Sequence, residues 1–258
     1  MKLLEGKRAL ILGVANPNSI AFGIAKAFFR EGAILAFSCA NDSLVELVKL
    51  LAKDLNSEMV VKCDVSKDED ILRLKEYIKE KWGNFDILVH SIAFAPKEEL
   101  KNRFLQTTRE GFKITMDISV YSLIALCREL SPLMNKGGSI LTLSFYGSEK
   151  VFPGYNVMGV AKAALESTVR YLAYDLGKER IRVNCISSGP IKTLAASAIP
   201  NFESFLEMHK KISPLGENVQ IDDIGELAVF LASERAKSIT GQVIFVDAGY
   251  NIMGTFKQ

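Results

Sequence analysis

The sequence predicts an α/β fold: one domain, residues 1–258, on a doubly wound parallel sheet of about seven strands with helices on both faces. Three observations predict it. Short β-branched runs alternate with longer stretches of helical period. The runs are apolar almost throughout rather than at every second position. The chain, 258 residues with 48% hydrophobic and 24% charged side chains, is long enough for one sizeable core. A parallel sheet covered on both faces produces such runs, and right-handed crossovers wind it outward from its middle.

The strands are read at 8–13 (RALILG), 34–39 (ILAFSC), 58–63 (EMVVKC), 85–91 (FDILVHS), 138–144 (GSILTLS), 181–187 (IRVNCIS) and 242–247 (QVIFVD). Helical patterns fill the intervals, beginning near Ser19, after Asn41, near Thr108, near Tyr155 and near Asp222. One irregular insertion, Ile191 to Ser213, follows a strand and holds its own amphipathic stretch, FESFLEMHKKI. Extra elements after a strand's carboxyl end are where such sheets place substrate contacts.

Charge and cysteine content narrow the class of partner. The 32 basic and 30 acidic residues are interspersed, so no basic stripe points to nucleic acid. No run approaches a signal peptide or a membrane span, and the expected location is cytoplasmic. Cys39, Cys63, Cys127 and Cys185 are far apart in apolar surroundings and read as buried free thiols. With only His90 and His209 and no clustered ligand pattern, no metal site is expected.

Two local patterns carry chemistry. The stretch LILGVANPNSIAFGIA runs from a strand into a loop of the kind that a Rossmann-like sheet uses to hold a dinucleotide, yet it lacks the usual glycines. Counting from Gly13, positions 15 and 18 hold Ala15 and Asn18, and the alternative spacing meets Pro17. A helix starting near Ser19 still offers free N–H groups and a positive dipole end to a pyrophosphate. The Ser19 hydroxyl could assist, and Gly23 would let that helix approach the sheet; a plain strand–loop–helix turn is the competing reading. In the second pattern, GYNVMGVAK, Tyr155 and Lys162 stand seven residues apart, close to two helical turns, and so share one face. A nearby ammonium would lower the phenol's pKa and help it serve as proton donor or oxyanion stabiliser. Taken alone, the pair reads more readily as a buried tyrosine and a surface lysine on an ordinary helix.

Five motifs in order, Gly13-x5-Ser19-Ile20-x2-Gly23, CDV at 63–65, VHSIAFAPK at 89–97, YNVMGVAKAALES at 155–167 and GPIKTLAAS at 189–197, give a resemblance that spans the chain. The sequence resembles bacterial enoyl-acyl-carrier-protein reductases, a divergent branch of the short-chain dehydrogenase/reductase superfamily. Where ordinary members carry NNAG and Tyr-x3-Lys, this chain has HSIA at 90–93 and Tyr155-x6-Lys162, both favouring enoyl over carbonyl reduction.

The resemblance implies NADH-dependent reduction of trans-2-enoyl thioesters on acyl carrier protein in bacterial type II fatty-acid synthesis, by a homotetramer. It makes Tyr155 and Lys162 catalytic. Gly13, Ser19, Ile20, Asp64, Val65, Ser91, Ile92, Ala93, Lys162, Ile191 and Thr193 would bind NADH/NAD+. Phe94, Ala95, Phe145, Tyr146, Met158, Ala195, Ile199 and Phe202 would line the acyl site. Relatives often have tyrosine where this chain has Phe145, and basic residues where it has Ile199 to Ser204, so carrier docking would turn on Lys192, Lys210 and Lys211. The stretch after the second strand, Ser38 to Ser43, holds no cation, which favours NADH over NADPH. The competing readings are a carbonyl or 3-hydroxyacyl reductase of the same superfamily and a non-catalytic NAD-binding sensor.

Overall fold

The computed structural model describes residues 2–193, 196 and 202–254. Seven parallel strands form one sheet in the order β3-β2-β1-β4-β5-β6-β7: β1 (Arg8–Leu12), β2 (Ile34–Cys39), β3 (Val60–Lys62), β4 (Phe85–His90), β5 (Met134–Ser144), β6 (Arg182–Ser188) and β7 (Val243–Val246). All seven expected strands are present. Two differ in length by three residues or more. β5 starts four residues early because Met134 pairs with Phe85 across a register shift before the ladder resumes at Ile87 and Ser139. β3, at the edge, is cut to three residues, which leaves little open ladder for another chain to extend.

The helices are α1 (Ile20–Arg30), α2 (Asp42–Lys53), α3 (Asp68–Trp82), α4 (Lys97–Lys101), α5 (Arg109–Met116), α6 (Ser122–Leu130), α7 (Val157–Leu176), α8 (Phe202–Ile212) and α9 (Ile221–Ala232). Their starts follow local chemistry. Ser19, Asn41 and Thr108 each accept a backbone N–H from the first turn of α1, α2 and α5. α3 opens on Asp68, Glu69 and Asp70 and closes with Lys79 and Lys81 before Gly83, charges that complement its dipole. α5 and α6 join through a widened turn, Asp117–Tyr121.

The strand period sorts the core into two layers. Ala9 and Ile11 of β1 face a layer built with α1, α2 and α9, including Ile24, Phe28, Val48, Ile224 and Ala228. Leu10 and Leu12 face the opposite layer with α3, α6 and α7, including Leu74, Leu126, Ala161 and Leu165. Every other residue of one strand thus serves a different core, which is why the run is apolar throughout. All four cysteines are free and buried. Because β1 has β2 on one side and β4 on the other, the direction of winding reverses between β1 and β4, and a crevice opens there at the strands' carboxyl ends.

Candidate active site

Gly13 ends β1 at this reversal. Its φ of +96° suits glycine, and an added Cβ would overlap the Ser91 carbonyl, so the loop after β1 and the segment after β4 lie backbone against backbone. The Gly13 N–H donates to Ser38 O at 3.3 Å and the Ser91 N–H to Leu12 O at 3.2 Å. The Ser19 hydroxyl is committed locally: it donates to Asn16 O at 2.8 Å and accepts the Phe22 N–H at 3.4 Å. Beside this hydroxyl, the first-turn N–H groups of Ile20 and Ala21 have no partner within α1. Gly23 does not bring α1 to the sheet. A Cβ there would run into the Ile221 side chain, so the close approach is between α1 and α9.

The adenosine end behaves alike. Asp64 accepts the Ser66 N–H at 3.1 Å and its hydroxyl at 2.7 Å and pairs with Lys67 at 3.1 Å. Against the burial that would raise it, these contacts hold the Asp64 carboxyl below its ordinary pKa. Asp64 thus closes locally on Ser66 and Lys67, and Val65 next to it is buried. Asn41 caps α2, accepting the Leu44 N–H at 3.2 Å. The stretch after β2 is not free of cations in space: Lys62, in register with Cys39, reaches Asp42 at 2.8 Å. The absence of a local cation therefore does not by itself account for a preference for NADH.

Ser91 and Ile92 are half-buried, and Ala93 and Phe94 are exposed, along the chain that leaves β4. Ser119, inside the widened turn, holds this segment: its hydroxyl accepts the Phe94 N–H and donates to Phe94 O, both at 3.0 Å, and lies 4.0 Å from the Met158 sulfur. Such turns interrupt helices most often at functional sites. His90 is wholly buried, its ring nitrogens 2.9 Å from Thr142 Oγ1 and 2.8 Å from Ser122 Oγ. Burial first, then Lys162, pushes the imidazole down to about 3, so it stays neutral and ties β4 to β5 and α6.

Tyr155 and Lys162 meet the site from different elements. Lys162 lies on α7, but Tyr155 precedes the helix in a tight turn closed by Met158 N–H to Tyr155 O at 3.0 Å. The two-turn helical spacing is therefore corrected: only Lys162 is on the helix, and Tyr155 is carried by the turn before it. The expected lowering of the phenol's pKa is corrected as well. Burial and then the Glu166 carboxylate push it up, so Tyr155 is a neutral donor. Lys162 Nζ donates to Leu143 O at 2.8 Å, and burial brings its pKa down to about 8, opposed by Cys185 and Glu166. Glu166, one turn further along α7, accepts a short hydrogen bond from Ser144 Oγ. Two successive turns of α7 thus grip the end of β5.

Beyond that end is a wall of rings. Phe145 packs edge-on to Tyr155 with centroids 5.0 Å apart, 4.8 Å from Phe152 and 5.9 Å from Phe205 of α8. Tyr146 turns the other way, to Phe245 at 5.7 Å and Tyr250 at 6.3 Å. Phe202 and Met158 are buried, Ala95 is half-buried, and Ile191 is buried beside the half-buried Thr193. Thr193 Oγ1 accepts the Ala196 N–H at 3.1 Å. Ala195 and Ile199 lie outside the described residues. Phe152, Phe205, Tyr250, Ser144 and Glu166 are site residues that the sequence reading does not single out. Glu166 had a signal, since it follows Lys162 by four on the same helix face; the rings had none that separates them from core.

The sequence profile described as Enoyl-(Acyl carrier protein) reductase matches residues 13–251. The chain belongs to this family. It is 62% identical over 257 residues, 99% of this chain and 95% of the other, to the Enoyl-[acyl-carrier-protein] reductase [NADH] FabI of Aquifex aeolicus. To the protein of the same name from Rickettsia conorii it is 51% identical over 99% of this chain and 98% of the other. The fold superposes on the Aquifex aeolicus enzyme's crystal structure with a TM-score of 0.96, covering 98% of this chain and 100% of that one. On the Anaplasma phagocytophilum enzyme in complex with NAD the TM-score is also 0.96, at 46% identity over 99% and 98%. Family membership and fold agree with the reading of the sequence.

Proposed function

We infer that the chain is an NADH-dependent enoyl-acyl-carrier-protein reductase of fatty-acid synthesis, reducing the trans-2 double bond of the enoyl thioester. The observation that carries the assignment of roles is that a half-buried neutral phenol, Tyr155, packs on Phe145 just past the end of β5 while the buried Lys162 ammonium is held on the Leu143 carbonyl of the same strand end.

The crevice suits a dinucleotide. The start of α1 faces it with unpaired backbone donors, and the Ser187 hydroxyl at the end of β6 is buried without a partner among the described residues. Ile20, Gly13 and Ser91 to Ala93 would hold the pyrophosphate and the cofactor's middle, Val65 the adenine, and Ile191 and Thr193 the nicotinamide side. When bound, NADH supplies a hydride to C3 of the enoyl thioester. As charge moves onto the thioester oxygen, Tyr155 would donate a hydrogen bond to it, a contact worth more in a water-poor site than in solvent, and a proton delivered from solvent to C2 would collapse the enolate to the saturated thioester. Lys162 would hold the nicotinamide ribose hydroxyls in place of Leu143 O and add positive potential. Phe145, Phe152 and Phe205 exclude water and receive the acyl chain with Phe94, Met158 and Phe202.

One domain carries the reaction, with 191–213 as its substrate segment. Of the lysines proposed to meet the acidic carrier, Lys192 is paired with Glu203 at 2.5 Å, while Lys210 and Lys211 stand exposed on α8. An apolar face formed by Phe112, Tyr121 and Ile124 along α5 and α6, with Val160, Tyr171 and Tyr174 on α7, supports self-association into a homotetramer; Tyr171 and Tyr174 are 74% and 78% exposed. No described helix is long and apolar enough to cross a membrane, and four unpaired thiols suit a reducing cytoplasm.

The test is Tyr155→Phe. Turnover is expected to fall about 10²- to 10³-fold, the effect of removing one oxyanion donor, with NADH affinity unchanged. Parent-like turnover would overturn the role.

A further inference from the structure

Asn156 follows Tyr155 with φ +45° and ψ −122°, the first central position of a tight turn where glycine is the ordinary residue. Its own carbonyl accepts the Gly159 N–H at 3.0 Å as α7 begins. Asparagine tolerates positive φ better than most side chains, but this ψ lies outside the left-handed well it usually takes. Something must hold the backbone there. The side chain does: Nδ2 donates to Glu99 O at 3.2 Å, Leu100 O at 3.2 Å and Asn102 O at 2.8 Å. These carbonyls end α4, where the last turn has no N–H donors of its own helix to satisfy them.

The grip continues into the rest of the site. Glu99, whose carbonyl Asn156 holds, accepts the Thr108 N–H at 3.1 Å and its hydroxyl at 2.5 Å, and so fixes the start of α5. α5 leads into the turn where Ser119 holds Phe94. A backbone that returned to an ordinary conformation at 156 would rotate the peptide after Tyr155, and with it the ring.

We propose that Asn156 is a positioning residue for Tyr155: its amide, clamped on the carbonyls that end α4, holds the bend that aims the phenol and links it to the segment leaving β4. The proposal rests on the role assigned to Tyr155. Glycine at 156 relieves the bend yet loses the clamp, so Asn156→Gly separates the two parts where Asn156→Ala, strained and unclamped, does not.

Asn156→Gly is expected to melt close to the parent, bind NADH within about twofold and lose roughly tenfold or more in kcat, with enoyl-thioester KM little changed. In a Tyr155→Phe background the same substitution is expected to cost less than about twofold, because the group it aims is already gone. A parent-like kcat in Asn156→Gly would overturn the proposal, as would a full, multiplicative loss in the double variant. Tyr155→Phe turning over like the parent would remove the reading on which the proposal stands, and the proposal with it.

Discussion

The two halves of the sheet end differently at their carboxyl edge. Around β1, β2 and β3 the polar side chains are tied to their own backbone: Ser19 and Asn41 cap helices, and Asp64 closes on Ser66. Around β5, α7 and α8 the candidate side chains gather at one strand end: Lys162 on Leu143 O, Glu166 on Ser144, and Tyr155 on Phe145, which also meets Phe152 and Phe205. The first half offers a ligand mainly backbone donors, whose position depends on the turn and helix rather than on one side chain. In the proposed reading, the second half is where individual side chains would meet the reacting atoms. Replacing a polar residue should therefore cost stability in the first half and turnover or affinity in the second.

The comparison would break if Lys162 proved dispensable. Lys162→Ala is expected to weaken NADH binding about tenfold to hundredfold, the loss of one charge-assisted hydrogen bond of about 1.5–3 kcal/mol; fluorescence titration with NADH measures it. The parent should show the same dependence through pH. Burial brings the Lys162 pKa down to about 8, so the ammonium is charged below that pH and neutral above it. kcat/KM for NADH is accordingly expected to fall as pH rises past about 8. Tyr155, raised by burial and Glu166, keeps its proton across the same window, and an alkaline limb that persisted unchanged in Lys162→Ala would assign it elsewhere.

The smallest effect sharpens the contrast. Ser19→Ala removes the cap of α1 at about 1 kcal/mol, a fall in Tm of roughly 2–4 °C for a chain of this size. NADH affinity should stay within about twofold, because the hydroxyl is turned to Asn16 O and the Phe22 N–H. A tenfold loss of affinity with Tm unchanged would mean that the hydroxyl does meet the ligand.

Much of this was legible in the residues, for a physical reason in each case. A parallel strand buried on both faces must be apolar at every position, so the seven runs announce themselves; the early start of β5 escapes, because its first residues join through a register shift that no local signal marks. The amphipathic period of FESFLEMHKKI matched α8 residue for residue. The placement of Tyr155 before α7 was not legible. Its turn depends on Asn156 meeting carbonyls 54 to 57 residues earlier in the chain, a long-range fact with no sequence period. Phe152 and Phe205 were missed because an apolar ring facing a pocket and one facing a core leave the same mark. For Ser19 and Asp64 the sequence did not reveal their local bonds, since a side chain that caps a helix and one that binds a phosphate or a base are the same residue types.

The most direct test of the account is NADH oxidation with a trans-2-enoyl thioester and, at equal concentration and ionic strength, with the matching 3-ketoacyl thioester. The account predicts turnover of the enoyl substrate and little or none of the ketone. Activity confined to the ketone would contradict it.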